Sequence, residues 1–487
     1  MKLKALLSGV PYVTTTAPLD MEITDLCFDS RVCRPGMAFA CVKGLRADGH
    51  DYIGAALENG AALIIAKHAV DGVPTVVTDE PEITLAFMAG NFYGNPAREM
   101  TFIGVTGTKG KTSTTFFIKY LLEQTFGARV GLIGTIRNMA GDIDLGESHN
   151  STPTVTELHA LLRQMRDAGC THVVIEVSSH ALALGRVDGI RFRVGVFTNL
   201  SQDHLDFHGT MENYLQAKLR LFQMSDVGVV NIDDPASARV LETAACPIKT
   251  FSMQHDEADA CAKDVEQRGA DGVDFNVYAN GHSAHVKFPV PGLFSVHNAL
   301  AALSAALELG VGFDDAVRIL AEVPHVPGRA EVVPVHAEFR VIVDYAHSPD
   351  SVAKIVETVA GFTAGRVISV LGCGGDRDRT KRPKMADAAA RGSDYIILTT
   401  DNPRFEEPAD IIQEMLPGVA HTDCPYEVVI DRREAIRHAL DLACPRDTVL
   451  IMGKGHEPYQ EVRGVRHHFD DREEVLSYMA AIQEGSV

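Results

Sequence analysis

The chain has 487 residues, a length typical of about three globular domains. Its formal net charge of −20 at pH 7 argues against nucleic-acid binding, because proteins that bind nucleic acid need a basic surface. We expect a cytoplasmic protein without a membrane partner, because no apolar run approaches the roughly 18 residues of a membrane span and no leader pattern follows Met1. We also expect no zinc module, because the nine cysteines form no Cys-x-x-Cys pair.

Alternating strand and helix patterns predict an α/β protein with three domains. A smaller N-terminal α/β domain covers residues 1–98. A central domain over 99–328 has the pattern of a P-loop ATPase with a mostly parallel sheet, and a C-terminal domain over 329–487 has that of a Rossmann-like, doubly wound unit. The strands expected in the two larger domains cover 171–177, 194–198, 227–232, 340–344, 366–371, 395–400 and 448–452.

The segment 105–112, Val-Thr-Gly-Thr-Lys-Gly-Lys-Thr, is the most informative part of the chain. It follows an apolar run over 101–105 and precedes an amphipathic stretch over 113–124, so it predicts a strand, a glycine loop and a helix. A glycine turn without a ligand is the alternative, but a Gly-Lys-Thr ending after a strand favours the binding of ATP or a close relative.

The residues of this loop suit a triphosphate and its metal ion. Backbone N–H groups and the helix N-terminus bind phosphate oxygens, Lys111 reaches the terminal phosphates, and the Thr112 hydroxyl ligates magnesium. Gly107 stands three residues before Gly110, whereas the usual spacing is five. The loop is therefore a shortened variant of the common pattern.

Two polar segments follow later strands of the central domain. Glu176 ends the strand expected over 171–177, where it can complete the coordination of magnesium, which prefers hard oxygen ligands. The alternative is a carboxylate that caps a helix. In the segment 198–209, His204 suits a second magnesium shell. Alternatively, His204 and His208 could bind zinc together, because residues four apart can face the same side of a helix. For His208, a structural hydrogen bond is as strongly favoured as a role in metal binding.

Lys218 falls inside the apolar stripe of the helix predicted over 211–223. An uncompensated ammonium group in such a place is costly. Two explanations remain open. The side chain snorkels to water, or the lysine is carbamylated and its added carboxylate faces the metal.

Four polar loops follow strands of the C-terminal domain and cover 344–350, 372–379, 401–404 and 453–457. The carboxyl ends of parallel strands meet at one edge of a sheet, so we expect these loops to converge. Arginine binds a carboxylate bidentately and Glu457 can accept an ammonium group, so the set suits a zwitterionic ligand.

Together these residues resemble the Mur ligase family over nearly the whole chain, from Asp29-Ser30-Arg31 to Phe469-Asp470-Asp471-Arg472. The displaced first glycine is that family's form of the phosphate loop, and Asp-Asn-Pro-Arg at 401–404 resembles the version that selects meso-diaminopimelate over L-lysine. The resemblance implies an ATP-dependent ligase of peptidoglycan precursor synthesis. It would join meso-2,6-diaminopimelate to the D-Glu γ-carboxylate of UDP-N-acetylmuramoyl-L-Ala-D-Glu through an acyl phosphate, with Mg²⁺ as cofactor.

The resemblance also implies the site residues. Those for ATP are Gly107, Thr108, Lys109, Gly110, Lys111, Thr112, Ser113, Asn298, Arg329 and Asp344. Those for the UDP-linked peptide are Phe28, Ser30, Leu45, Arg46, Ala47, Asn150, Ser151, Thr152, Ser178 and Arg186. Those for diaminopimelate are Arg377, Asp401, Asn402, Pro403, Arg404, Gly453 and Glu457. The catalytic set is Lys111, Glu176, His204 and Lys218, and the metal ligands are Thr112, Glu176, His204 and carbamylated Lys218. Leu184, where a glutamine is common, and Ser151, in place of threonine, are departures from the family pattern.

Two rival functions remain. Another ligase of the same group would add L-lysine or join glutamates to folate, but L-lysine has no second carboxylate for Arg404. A nucleotide switch that hydrolyses ATP slowly would need a protein-interaction surface in place of the acceptor loops. The ligase reading further predicts a monomer that acts on small molecules and whose domains close over the substrates.

Overall fold

The computed structural model describes residues 1–44, 47–147 and 150–484. The chain forms two compact units, one with residues 1–261, 278–282 and 297–320, and the other with residues 262–277, 283–296 and 321–487. Elements that contain residues of both units are Ala260–Gln267, Val273–Ala279, His282–Phe288 and the helix Leu293–Glu308. Within the described ranges, we find no helix whose length and apolar character would suffice to cross a membrane.

The first unit begins with a five-stranded sheet. Its strand order is Thr14–Thr15, Thr75–Val77, Leu63–Ala66, Ala38–Ala40, Leu26–Cys27, and neighbours are parallel except for the first pair. The accompanying helices are Leu3–Leu6, Ile53–Glu58 and Pro81–Phe92, with 3₁₀ turns at Ser30–Val32, Gly49–Tyr52 and Pro96–Arg98. Leu63 and Ile65 pack on one face, whereas Ile64 and Ala66 pack on the other. A strand covered on both faces needs such a continuous apolar sequence.

The larger sheet of the first unit is mainly parallel. Its parallel strands are ordered Ile248–Ser252, Ser225–Asn231, Phe192–Phe197, Thr101–Thr106, His172–Glu176, Val130–Ile133, followed by the antiparallel strands Met139–Ala140 and Ile143–Asp144. Its helices are Lys111–Phe126, Val155–Asp167, Ser179–Ala183, Leu205–His208, Met211–Gln223, Ser237–Thr243 and Phe313–Leu320. Glu176 pairs with Val105 and Phe197 with Thr106, so three strands end at the same edge.

The second unit contains a six-stranded sheet. Its order is Glu331–Val333, Arg340–Asp344, Thr448–Met452, Val367–Cys373, Tyr395–Thr400, Tyr426–Val428, and only the first pair is antiparallel. Helices Pro349–Ala360, Lys381–Ala390 and Pro408–Val419 supply residues to the core on one face, and Arg432–Leu442 and Asp471–Gln483 to the core on the other. The strands Tyr459–Val462 and Val465–His468 form a separate hairpin, and a 3₁₀ turn lies at Gly269–Asp271.

The α/β class expected from the sequence is confirmed, and so are most of its elements. The strands expected over 340–344, 395–400 and 448–452 have these same bounds, as does the helix Met211–Gln223. Other bounds differ by one or two residues. The helix expected over 113–124 begins at Lys111 and ends at Phe126, where Gly127 adopts a left-handed conformation with φ of 57°.

Candidate active site

The glycine loop predicted to bind phosphate connects a central strand to the N-terminus of a helix, as expected. Two of its glycines are required by close contacts. A Cβ atom on Gly107 would collide with Oγ1 of Thr198, and one on Gly110 would collide with Oδ1 of Asn298. Gly110 also has φ of 83°, which a larger residue rarely adopts. Asn298, predicted to contact ATP, therefore lies against this loop.

The loop backbone is held by the two residues that follow the neighbouring strand Phe192–Phe197. Oγ1 of Thr198 donates to the carbonyl oxygen of Lys109 at 2.7 Å. The side-chain oxygen of Asn199 accepts from the Lys109 N–H, and its backbone oxygen accepts from the Thr108 N–H, both at 2.9 Å. The sequence predicted metal ligands in this segment and, for His208, a structural hydrogen bond as an equal alternative. The structure shows that it also supports the phosphate loop.

Two lysine side chains meet at one carbonyl oxygen of this loop. Nζ of Lys111 donates to the oxygen of Gly107 at 2.9 Å, and Nζ of Lys218 donates to the same oxygen at 2.8 Å. Lys218 is 1% exposed, and its Nζ lies 4.4 Å from the centre of the Tyr214 ring. Burial, followed by repulsion from Lys111, lowers the pKa of Lys218 well below its ordinary value. The snorkelling explanation is therefore wrong, because the ammonium group does not reach water.

Glu176 is buried at the end of its strand, and both carboxylate oxygens accept hydrogen bonds from Thr135. The backbone N–H of Thr135 donates to Oε1 at 2.9 Å, and its hydroxyl donates to Oε2 at 3.0 Å. Because Thr135 lies in a loop, the alternative that Glu176 caps a helix is wrong. Thr135 was missed by sequence analysis, since an isolated threonine carries no motif.

His204 directly precedes the short helix Leu205–His208 and His208 is its last residue, and the two have different surroundings. His204 has φ of 52°, and its ring centre lies 4.8 Å from that of His180. Its pKa is lowered by burial and, more weakly, by the charges of Lys111 and Lys218. Nε2 of His208 lies 2.9 Å from Oγ of Ser179, which supports the structural hydrogen bond expected as one of its two roles.

The chemistry of the expected metal ligands fits magnesium. No group of three or more His, Cys, Asp or Glu side chains is placed to hold a metal ion in the ranges that the structure describes. Nε2 of His208 is engaged with Oγ of Ser179. The expected set consists of the Thr112 hydroxyl, the Glu176 carboxylate, a carbamate on Lys218 and the imidazole of His204. Three of these four ligands are hard oxygen donors, which magnesium prefers.

Several residues predicted to bind the UDP-linked peptide lie together beside Glu176. Oγ1 of Thr152 donates to the backbone oxygen of Glu176 at 2.6 Å and accepts from the Ser178 N–H at 3.0 Å. Nη1 of Arg186 donates to the backbone oxygen of Thr152 at 3.0 Å, and Oγ of Ser151 lies 2.7 Å from Oγ1 of Thr135. These residues form a hydrogen-bonded polar cluster at the edge where the phosphate loop begins.

The remaining residues of that set lie on other elements. Phe28 packs against the core of the five-stranded sheet, and Ser30 is buried with its backbone oxygen accepting from Nδ2 of Asn59 at 2.9 Å. Ala47 and Asn150 are exposed. Leu45 and Arg46 lie outside the described residues. Leu184, the departure from the family pattern, is half-buried directly after the helix Ser179–Ala183.

In the second unit, the four polar loops follow strands that end at one edge of the sheet, as predicted. Nδ2 of Asn402 donates to Oε2 of Glu457 at 2.6 Å, which joins the third of these loops, 401–404, to the fourth, 453–457. Nη1 of Arg404 donates to the backbone oxygen of Gly375 at 2.7 Å, and its Nε lies 3.6 Å from a carboxylate oxygen of Glu461. The loops 372–379, 401–404 and 453–457, which were predicted separately, thus contact one another at this edge.

A buried lysine that sequence analysis overlooked lies inside this acceptor site. Nζ of Lys454 is 3.3 Å from Oδ1 of Asn402 and 3.6 Å from Oε2 of Glu457, and it also donates to the backbone oxygen of Tyr459. Burial, followed by the nearby charge of Asp401, raises the pKa of Glu457, whereas Lys454 opposes this effect. The Glu457 carboxylate is therefore held by a cation and an amide.

The other predicted residues of this unit have mainly local contacts. A Cβ atom on Gly453 would collide with Oδ2 of Asp401. Pro403 is buried, and Arg377 is exposed. The guanidinium carbon of Arg329 lies 4.7 Å from the centre of the Tyr345 ring. The Asp344 carboxylate accepts from the N–H groups of Ala330 and Ala346 at 2.7 Å each, so it shapes the loop that carries Arg329.

Family models match three parts of the chain. They are described as Mur ligase family, catalytic domain, at residues 22–94, Mur ligase middle domain at 105–306, and Mur ligase, glutamate ligase domain at 328–455. The three-domain α/β class is thereby confirmed. The boundaries expected after residues 98 and 328 remain predictions.

Curated relatives match almost the full chain. A protein of Caldanaerobacter subterraneus subsp. tengcongensis is 42% identical over 484 residues, covering 99% of each chain. A protein of Syntrophomonas wolfei is 42% identical over 481 residues, covering 97% of this chain and 98% of the relative. Both are named UDP-N-acetylmuramoyl-L-alanyl-D-glutamate–2,6-diaminopimelate ligase.

Solved structures give a similar result. A structure of UDP-N-acetylmuramoyl-L-alanyl-D-glutamate–2,6-diaminopimelate ligase is 32% identical, covers 99% of both chains and has a TM-score of 0.71. The MurF ligase of Thermotoga maritima in complex with ADP is 21% identical, covers 96% of this chain and 99% of its own, and has a TM-score of 0.61. The second likeness concerns the fold alone.

Proposed function

The chain belongs to the Mur ligase family, and we propose that it is an ATP-dependent ligase of peptidoglycan precursor synthesis. It joins meso-2,6-diaminopimelate to the D-Glu γ-carboxylate of UDP-N-acetylmuramoyl-L-Ala-D-Glu. The observation that carries this proposal is the acceptor site, in which Arg404, Asn402 and Glu457 lie at one sheet edge. Relatives 42% identical over nearly the whole chain bear the name of this reaction.

The loop over 107–112 binds the triphosphate. Its backbone is held from outside by Thr198 and Asn199, so its N–H groups are presented in a fixed arrangement at a helix N-terminus. Lys111 neutralises charge on the transferred phosphate once it leaves the carbonyl oxygens that it contacts here. Asn298, which lies against Gly110, contacts the nucleotide. The family resemblance assigns Arg329 and Asp344 to ATP as well.

The reaction joins two anions in the first step and needs no protein nucleophile. An oxygen of the D-Glu γ-carboxylate attacks the γ-phosphorus, a new O–P bond forms, and the bond to the β-phosphate oxygen breaks to release ADP. The amine of diaminopimelate then attacks the acyl carbon and loses a proton, and inorganic phosphate leaves. The chain's contribution is to orient these groups and balance their charge.

Thr112, Glu176, His204 and carbamylated Lys218 would hold magnesium, which would supply positive charge to balance that of the phosphates. Thr135 fixes both oxygens of the Glu176 carboxylate and so orients it at the strand end. This orientation places a negative charge at the edge where the phosphate loop begins. The two hydrogen bonds from Thr135 offset part of the desolvation cost of the buried Glu176 carboxylate.

Lys218 is carbamylated in the working enzyme. A bond forms between its neutral Nζ and the carbon of carbon dioxide, one proton leaves, and the side chain gains a carboxylate. In the unmodified protein the side-chain nitrogens of Lys111 and Lys218 both contact the carbonyl oxygen of Gly107, and burial with the charge of Lys111 disfavours an ammonium group on Lys218 through electrostatic repulsion. Carbamylation replaces this repulsion with attraction to Lys111 and adds an oxygen ligand for the metal.

The acceptor amino acid is selected by its two ends. The carboxylate of its far end binds the Arg404 guanidinium, and its ammonium group binds Glu457, whose carboxylate is held by Asn402 and Lys454. L-Lysine has an amine but no carboxylate at its far end, so it leaves Arg404 without a ligand. This difference is the basis for the preference for meso-diaminopimelate.

The other expectations are proposed with this function. The enzyme acts as a monomer in the cytoplasm, on small-molecule substrates and without nucleic acid or membrane partners. A net charge of −20 supports the exclusion of nucleic acid. Its domains cover 1–98, 99–328 and 329–487, which is supported by the three separate family matches.

The function is tested by ATP-dependent phosphate release in the presence of the UDP-linked dipeptide and one amino acid at a time. We expect release that requires both the dipeptide and meso-diaminopimelate, with L-lysine a poor acceptor. Equal rates with the two amino acids would contradict the specificity. Release without any acceptor would favour a nucleotide switch.

A further inference from the structure

Arg432 is fully buried beneath the acceptor site, at the carboxyl edge of the six-stranded sheet. Its Nε and Nη2 atoms each lie 2.8 Å from a carboxylate oxygen of Asp471, and both side chains are 0% exposed. Nη2 also donates to the backbone oxygen of Met452 at 3.0 Å, and Nη1 donates to that of Thr400 at 3.4 Å. One guanidinium therefore binds a carboxylate and two backbone carbonyl groups at once.

These two carbonyl groups end strands that are not neighbours. Thr448–Met452 and Tyr395–Thr400 are separated in the sheet by Val367–Cys373, so Arg432 spans the end of the middle strand. The next residue after Thr400 begins the loop 401–404, and the next after Met452 begins the loop 453–457. The guanidinium thus connects the bases of the two loops that carry the acceptor contacts.

We propose that Arg432, oriented by Asp471, is a positioning residue for the acceptor amino acid. It sets the separation of the two loops and hence the distance between Arg404 and Glu457. A diamino diacid has two charged ends at a limited separation, so its binding depends on that distance. This inference rests on the proposed function and adds to it a residue that does not touch substrate.

A role in stability alone does not account for this pair. Two buried charges lose most of their attraction to the cost of desolvation, and apolar residues of similar volume often stabilise a protein equally well. Burial disfavours the charged form of Arg432, but Asp471, and further away Asp401 and Glu457, outweigh it and raise its pKa. The planar fork of arginine can reach all its partners, whereas the single ammonium of lysine cannot.

An arginine–aspartate pair at the opposite edge of the same sheet offers a control of the same chemistry, in which the Arg366 side chain is 44% exposed. Nη2 of Arg366 lies 2.8 Å from Oδ2 of Asp447, and these residues stand immediately before Val367–Cys373 and Thr448–Met452. This pair has the same chemistry and joins strands of the same sheet at their amino ends. It lies away from the acceptor loops, so it reports the structural effect of losing such a pair.

The test compares Arg432→Lys and Asp471→Asn with Arg366→Lys and Asp447→Asn. For each variant the thermal midpoint is measured, together with the KM values for diaminopimelate, ATP and the UDP-linked dipeptide. We expect the first two variants to raise the KM for diaminopimelate about tenfold or more, with the other KM values within about twofold. Their preference for diaminopimelate over L-lysine should fall. The two control variants should lower the thermal midpoint without these kinetic changes.

Several results would overturn the inference. An equal rise in all three KM values, an unchanged KM for diaminopimelate, or the same rise in the Arg366 and Asp447 variants would each show a structural role only. If Arg432→Lys fails to fold, Asp471→Asn still decides, because it keeps the guanidinium and the side-chain volume. Wild-type protein that releases phosphate without diaminopimelate would refute the proposed function itself, which separates the two failures.

Discussion

Replacing Arg404 by alanine should remove the recognition of the far carboxylate of diaminopimelate. The Arg404 side chain is only 18% exposed, so its bond to a carboxylate is poorly screened by water. A hydrogen bond to a charged group contributes about 1.5–3 kcal/mol, and a bidentate pair lies toward the upper end of that range. A loss of about 2–3 kcal/mol corresponds to a KM for diaminopimelate that is roughly 30- to 150-fold higher.

The assay is steady-state phosphate release with varied diaminopimelate at saturating ATP and UDP-linked dipeptide. Arg404→Ala should leave the KM for ATP within about twofold, and the poor use of L-lysine should not worsen, because L-lysine has no group for Arg404. Arg391→Ala is a suitable control, since Arg391 is 67% exposed and paired with Asp387 on a helix. An equal rise in the KM values for diaminopimelate and ATP in Arg404→Ala would refute a specific contact between Arg404 and the far carboxylate.

Three further predictions concern the first unit. Lys218→Ala should abolish turnover, with partial recovery on addition of short carboxylic acids that replace the carbamate, as measured by phosphate release. Gly107→Ala should reduce ATP binding at least tenfold by calorimetry, because its Cβ would collide with Thr198 and displace the loop. Burial lowers the pKa of His159 from 6.5 to about 4, so folding disfavours its protonated form. The free energy of unfolding is therefore unaffected by this group above pH 6.5 and decreases as the pH drops toward 4. In urea denaturation, the free energy of unfolding of the wild type should decrease by about 3 kcal/mol over this pH range because of His159, and His159→Leu should lack this contribution.

Each of these has a result that would contradict it. Full activity of Lys218→Ala without added acids would exclude an essential carbamate, and a conservative Lys218→Arg variant should be as inactive as the alanine variant because arginine is not carbamylated. Unchanged ATP binding by Gly107→Ala would mean that the loop tolerates a side chain. An identical pH slope in His159→Leu and the wild type would show that His159 titrates normally in the folded protein.

Local sequence by itself predicted the positions of the candidate site residues. The glycine loop, the strand-end carboxylate Glu176 and the Asp-Asn-Pro-Arg segment were readable because each motif occupies a few consecutive residues after an apolar strand. In parallel sheets such positions meet at one edge, and the strand register confirms it for both units. The α/β class followed from the same alternation of strands and helices.

Only the tertiary structure decided which of these residues act together. Lys218 was readable as a lysine in an apolar stripe, but its contact with the Gly107 carbonyl joins residues 111 positions apart. Thr135 beside Glu176 and Arg432 beneath the acceptor loops carry no local signal at all. Their partners are set by the order of strands in a sheet, and in parallel sheets that order is created by long crossover connections. Sequence neighbours therefore determine the elements, whereas the packing of distant elements determines the contacts.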